Sequence, residues 1–168
     1  MISKNKEILF ISILLFFITS CGVYSFTGAA IQGKTINIHF IENNARTIVP
    51  SLSPTFTEKL RQRILSQSSL SQVNSEKTDH DISGSITNYD VTVASVTGAE
   101  TSSKNRLTIT VSIEYKNKLN EKSNFVTNFS RFADFNSDQN LQNVETRLIA
   151  EISDQLADDI FNKAFVNW

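Results

Sequence analysis

The stretch RLTITVSIEY, residues 106–115, alternates apolar and polar side chains without a break. Leu107, Ile109, Val111, Ile113 and Tyr115 fall on one side, and Thr108, Thr110, Ser112 and Glu114 on the other. A strand turns successive side chains to opposite faces, so this is a strand with one buried and one polar face. That pattern suits an antiparallel sheet whose second face meets water.

Polar turns bracket it, TGAETSSKN before and KNKLNEKSN after. Upstream, Asp81 to about Val96 reads as a long strand. Ile82, Gly84 and Ile86 share one parity, while Tyr89, Val91 and Val93 share the other. A change of parity within one strand predicts a bulge near Thr87–Asn88. Downstream, Phe125–Phe135 is a third strand, with Phe125, Phe129, Ala133 and Phe135 on one side. Strands joined by short polar turns form an antiparallel meander.

Further out, Thr35–Phe40 alternates Ile36, Ile38 and Phe40 with Asn37 and His39, which predicts a half-buried first strand. ENNAR then makes a turn. Ser53-Pro54 predicts a helix start, with Ser as N-cap and Pro at the first helical position. Phe56, Leu60 and Ile64 recur at four-residue spacing, carrying that helix to about Gln67. A short strand near Val73 and a polar loop over 74–80 follow. A final helix spans about Asp138 to Phe165, with Leu141, Val144, Leu148, Ile152, Leu156, Ile160 and Ala164 in one stripe. The order β-α-β-β-β-α predicts an α+β fold, two helices packed on one face of a four-stranded mixed β-sheet. The first strand reaches the sheet through a helix and is expected to pair in parallel. The opposite face of the sheet is then rich in Thr, Ser, Asn and Lys.

The N-terminus has its own grammar. Lys4 and Lys6 precede an apolar run from Ile8 to Ile18, too short for a bilayer core, which needs about 20 residues. A basic start, a short apolar core and small residues after it describe a signal peptide. The run ends in Ile18-Thr19-Ser20-Cys21, which resembles the lipobox of bacterial lipoproteins. In that class the signal is cut before the cysteine and the thiol is acylated. The expected layout is a signal peptide over 1–20, a lipidated tether over 21–34 carrying Tyr24 and Phe26, and a single domain over 35–168. Removing Lys4, Lys6 and Glu7 from 16 basic and 17 acidic residues leaves 14 against 16, a net charge of −2. No global charge argues for nucleic acid. With Cys21 acylated, no thiol remains for a disulfide.

Catalytic chemistry finds little to stand on. Asp79-His80-Asp81 is a weak metal motif, because adjacent loop residues rarely converge on one ion, and a solvated loop is the expectation. His39 is expected to be exposed or interfacial. There is no G-x-S-x-G elbow, no phosphate-cradling glycine loop and no nucleophile–base pair, so neither an enzyme nor a cofactor is expected. Two basic groups remain. Lys104 and Arg106 flank one strand end, with Arg131 expected near Arg106. Lys116, Lys118 and Lys122 surround the turn at the other end. Either set can serve phosphate groups or plain hairpin solubility.

The segments CGVYSFTGAAI, INIHFIENNA, LSPTFTEKLRQRIL, NRLTITVSIEY, FSRFADF and IFNKAFVNW, in that order, resemble the lipopolysaccharide-assembly lipoprotein family LptE. The resemblance implies two helices on a four-stranded mixed sheet. It implies a lipoprotein held at the inner leaflet of the outer membrane, facing the periplasm. It implies a partner, the LptD-type β-barrel, whose lumen the lipoprotein plugs and whose folding it scaffolds, and a second ligand, lipopolysaccharide. Lys104 and Arg106 are then the preferred lipid-phosphate contacts, and Lys116, Lys118 and Lys122 the rival set. The competing expectation is an accessory lipoprotein of another outer-membrane assembly or secretion complex.

Overall fold

The computed structural model describes residues 31–75, 77–94 and 103–166. Strand β1 spans Thr35–Ile38, β2 Glu42–Asn43, helix α1 Leu52–Gln67, β3 Ser71–Gln72, β4 His80–Ala94, β5 Lys104–Asn117, β6 Phe125–Asn136 and helix α2 Leu141–Phe165. A single 3-10 turn, Glu121–Ser123, lies between β5 and β6. The strands form one mixed sheet in the order β3-β1-β4-β5-β6, with β2 beside β1 on β4.

The α+β class and the element order follow the expectation. The sheet has six strands against the four counted for the fold: β3 is the short strand expected near Val73, and β2 is a further two-residue pairing. The β2 pairing, Glu42–Asn43, is too short to carry an alternation, so periodicity cannot reveal it. β1 runs parallel to β4, as the crossover through α1 requires. β4, β5 and β6 form the meander, and the β4–β5 register slips between Ile86 and Asn88, where the parity change placed the bulge.

That bulge has a packing cause. It lets Ile82 and Ile86 before it, and Tyr89 after it, all point to the helices. On the same side lie Ile36 and Ile38 of β1, the five apolar residues of RLTITVSIEY, and Ala133 and Phe135 of β6. Against them α1 sets Phe56, Leu60 and Ile64, and α2 sets Leu148, Ile149, Ile152, Leu156 and Ile160, all buried. Each such side chain contributes about 1.5–3 kcal/mol by leaving water.

The start of α1 differs from the expectation. The helix opens at Leu52 with Ser51 at the N-cap, and no side chain caps it. Instead Leu52 donates to the Val49 carbonyl and Thr55 to that of Ser51. The tighter turn buries Val49 and Leu52. Pro54 still lies in the first turn, where its missing N–H has no intrahelical acceptor to lose. Helix α2 starts at Leu141, three residues later than expected. Residues 136–139 close a turn, and the Asn140 side chain accepts from the Gln142 N–H as an N-cap.

Candidate functional site

The sheet has a second face that no element among the described residues covers, and several of its residues hold one another. Asp81 accepts from the Asn37 amide at 3.1 Å and lies 3.0 Å from His39 Nε2. Thr110 and Ser130 hydroxyls meet across β5 and β6 at 3.0 Å. His39 is exposed as expected, beside an open cleft of 410 Å³ lined also by Phe40, Arg61 and Asn74.

The far end of this face carries Lys104 and Arg106. The register sets Lys104 opposite Asn136 and Arg106 opposite Asp134. Arg106 forks onto the Asp134 carboxylate through Nε at 2.7 Å and a terminal nitrogen at 2.9 Å. Its guanidinium also lies 3.6 Å from the centre of the Phe132 ring. The hydrogen bond to Arg106 holds the Asp134 carboxyl below its ordinary range, and the same bond raises Arg106. Arg106 is thus committed within the fold, whereas no ion pair among the described residues engages the Lys104 ammonium. Arg131 is not beside Arg106. It stands opposite Ile109, three rows away and on the helix side, where it forks onto Asp159 of α2. The odd parity that put Phe129 and Ala133 inward put Arg131 inward too.

The near end is where the chain arrives from its N-terminus. Asp79 accepts from the backbone N–H groups of Lys34 and Thr35 and from the Thr35 hydroxyl, at 2.7–3.0 Å. Those backbone bonds, chiefly the one from Lys34, hold its carboxyl below the ordinary value. Gly33 adopts φ +98°, a left-handed conformation that favours glycine.

His80 is buried, which corrects the expected solvated loop. Its Nδ1 lies 2.9 Å from the Tyr115 hydroxyl and its Nε2 2.6 Å from the Gln32 carbonyl, and its ring packs on Tyr115 and Phe165. The arriving chain and the end of α2 close over it, a burial that a local motif cannot display. Burial pushes the Tyr115 phenol up to about 12. Among the described residues no cluster of His, Cys, Asp and Glu is built to hold a metal ion.

The rival lysines divide. Lys116 pairs with Glu114 at 3.0 Å, on the open face. Lys118 and Lys122 lie in the turn beyond the last rung of the β4–β5 ladder, His80 opposite Asn117. Sequence reasoning missed Asp134, Phe132 and Asp79 as partners. Counting back through the β5–β6 turn could have found Asp134 facing Arg106. Asp79 could not be found that way, since its partners lie 44 and 45 residues away. Cys21, the tether residues Tyr24 and Phe26 and the signal segment 1–20 lie outside the described residues. No helix among the described residues is long and apolar enough to cross a membrane.

A model of the family described as LptE, Lipopolysaccharide-assembly, matches residues 33–164. Solved structures share the fold. A hypothetical protein from Chlamydia trachomatis superposes with a TM-score of 0.52 at 9% identity, over 80% of this chain and 98% of that one. A homologue of a neuraminyllactose-binding hemagglutinin from Helicobacter pylori gives 0.50 at 11%, over 82% and 88%. A minor lipoprotein from Acinetobacter baumannii gives 0.49 at 14%, over 77% and 91%. No curated protein matches the chain.

Proposed function

This chain belongs to the LptE lipopolysaccharide-assembly family, and on that premise we propose that it plugs and scaffolds the outer-membrane β-barrel of lipopolysaccharide assembly. The observation that carries this reading is the uncovered sheet face. It is broad and largely polar, and several of its groups pair with one another: Asn37 with Asp81, Arg106 with Asp134, and Thr110 with Ser130. A surface of that kind suits the polar, wet interior of a large barrel, where direct and water-bridged hydrogen bonds can serve its polar groups. Cleavage before Cys21 and acylation of its thiol hold the protein at the inner leaflet of the outer membrane, and residues 21–34 tether the domain.

Capture of a tagged copy from gently solubilised outer membranes tests the reading. A large β-barrel in stoichiometric amount is the expected partner. Recovery of the lipoprotein alone, or with another envelope complex, replaces this reading with that of an accessory lipoprotein.

The lipid-phosphate contact belongs at the far end, with Lys104 the principal group and Arg106 its neighbour. Lys104→Ala is expected to weaken lipopolysaccharide binding in vitro while leaving the thermal transition in place. Unchanged binding by both Lys104→Ala and Arg106→Ala refutes this assignment.

A further inference from the structure

β6 is the last strand of the sheet, and no strand among the described residues pairs with its outer side. The backbone groups on that side follow from the ladders. Ile82 of β4 accepts at its carbonyl from the His39 N–H, so Ile82 faces β1. Facing alternates along a strand, so Asp81, Ser83 and Ser85 face β5, where they oppose Lys116, Glu114 and Ser112. The residues of β5 between these face β6. That leaves Val126, Asn128, Ser130, Phe132 and Asp134 of β6 with N–H and C=O directed outward. The flanking turns agree, since Asn117 donates its N–H to the Asn124 side chain and Ser137 its own to the Ser103 carbonyl. Edges are commonly blunted by lysine, proline or a bulge. β6 is 12 residues long, contains neither residue, and keeps an unbroken register against β5. Its single cation, Arg131, is engaged by Asp159.

The strand also has the same pattern in both directions about Phe129. Along the open face Val126, Asn128, Ser130 and Phe132 run apolar, polar, polar, apolar. Val126 is 71% exposed and Phe132 47%, an unusual state for two large apolar side chains on one strand. An antiparallel second copy, related by a two-fold axis at Phe129, sets Val126 of each copy against Phe132 of the other and Asn128 against Ser130. On the helix side Phe129 meets Phe129, and Thr127 meets Arg131. No like charges are opposed. An axis at Arg131 instead opposes two guanidinium groups, and one at Ser130 sets Asp134 against Val126.

We infer that the outer edge of β6 is a self-recognition edge: two copies of this chain join it antiparallel about Phe129 into one continuous sheet. The outward pairs Val126–Phe132 and Asn128–Ser130, each made twice, supply about eight backbone hydrogen bonds. Helix α2 leaves room for this. Its Glu145 bonds Tyr89 of β4 and its Asp159 bonds Arg131 of β6, so it crosses the sheet obliquely. The two-fold then offsets the helices of the two copies. The polar face stays uncovered in the pair. A single pair of edge strands is a small interface, of the class that forms and opens readily. The pair therefore describes the free lipoprotein, whose exposed edge it shields until the proposed barrel takes up one copy.

Cross-linking of the mature lipidated protein, in detergent with micelles in excess, tests the pairing and its register. Cys21, the chain's one cysteine, is acylated there, so an introduced thiol is alone. Phe129 faces β5 with its backbone, so the Phe129–Phe129 pair is of the non-hydrogen-bonded kind, with Cα atoms about 4.5 Å apart and within disulfide reach. Phe129→Cys is expected to form a covalent dimer under mild oxidation. A mixture of Thr127→Cys and Arg131→Cys proteins is expected to cross-link to each other, and neither alone, because like positions then stand roughly 14 Å apart. That mixture keeps the test open should Phe129→Cys fold poorly. Val126→Lys changes an exposed side chain and is expected to raise the dimer dissociation constant, read by sedimentation, roughly tenfold through its two contacts with Phe132. Absence of cross-linking both at 129 and in the mixture overturns the inference. So does cross-linking of Arg131→Cys alone, which requires another register, or a dissociation constant unmoved by Val126→Lys.

Discussion

Gly84 sits in β4 opposite Ile113 of β5, at a point where the two strands leave no room for a side chain. A Cβ placed there falls well inside contact distance of the Ser112 carbonyl oxygen, and lies 3.1 Å from both the Ile113 Cα and its Cδ1. The nearest of these neighbours is backbone, so no rotamer change can relieve the clash. Gly84→Ala must push the strands apart. Overpacking of this kind costs about 1–3 kcal/mol, and each ladder hydrogen bond lengthened past use costs about 1 kcal/mol more. A total of about 3 kcal/mol is expected, which lowers the melting temperature of a domain this size by about 10 °C. Thermal unfolding followed by circular dichroism measures it, with Ser85→Ala, one residue along, as a control expected within about 0.5 kcal/mol of wild type. A Gly84→Ala transition indistinguishable from that of the control would refute the close-approach argument. The consequence reaches function, because β4 and β5 are the rails that hold Lys104 at the far end.

Three further outcomes follow from the same geometry. The raised Tyr115 phenol stays protonated in the fold while the unfolded phenol ionises near its ordinary 10, so stability falls as pH rises from about 10 to about 12. Tyr115→Phe is expected to flatten that alkaline limb in urea unfolding curves. Asp79 has a depressed carboxyl, so its contribution is present above the ordinary carboxylate value and is lost as pH falls through the lowered one. Asp79→Asn is expected to flatten the acid limb and to speed amide exchange at Thr35 at neutral pH. Asp134→Ala releases the Arg106 guanidinium from its fork, and lipopolysaccharide binding is expected to rise while Arg106→Ala lowers it. A fall with Asp134→Ala would mean that the pair acts as a unit.

Several expectations were legible because they rest on periodicity. The alternation of residues 106–115 and the parity change in β4 placed the meander and its bulge, because which face a side chain takes depends only on its position along the strand. The stripe in α2 placed the long helix for the corresponding reason. Boundaries were less legible. Ser53 has the chemistry of a cap, yet the burial of Val49 and Leu52 outweighed it. His80 looked solvated because its neighbours in sequence are acidic. Its neighbours in space are Tyr115, Phe165 and the Gln32 carbonyl, from three other parts of the chain.

The candidate site divides in the same way. Lys104 and Arg106 were identifiable as a basic strand end, but their difference was not. One guanidinium is forked by a carboxylate from the next strand and the neighbouring ammonium is not, and cross-strand register decides that. By itself, then, the sequence determined the class of fold and the polar alternation of the second face, because each is written in a local pattern. The tertiary structure decided which charges are already spent on one another, because that depends on contacts between residues far apart in the chain.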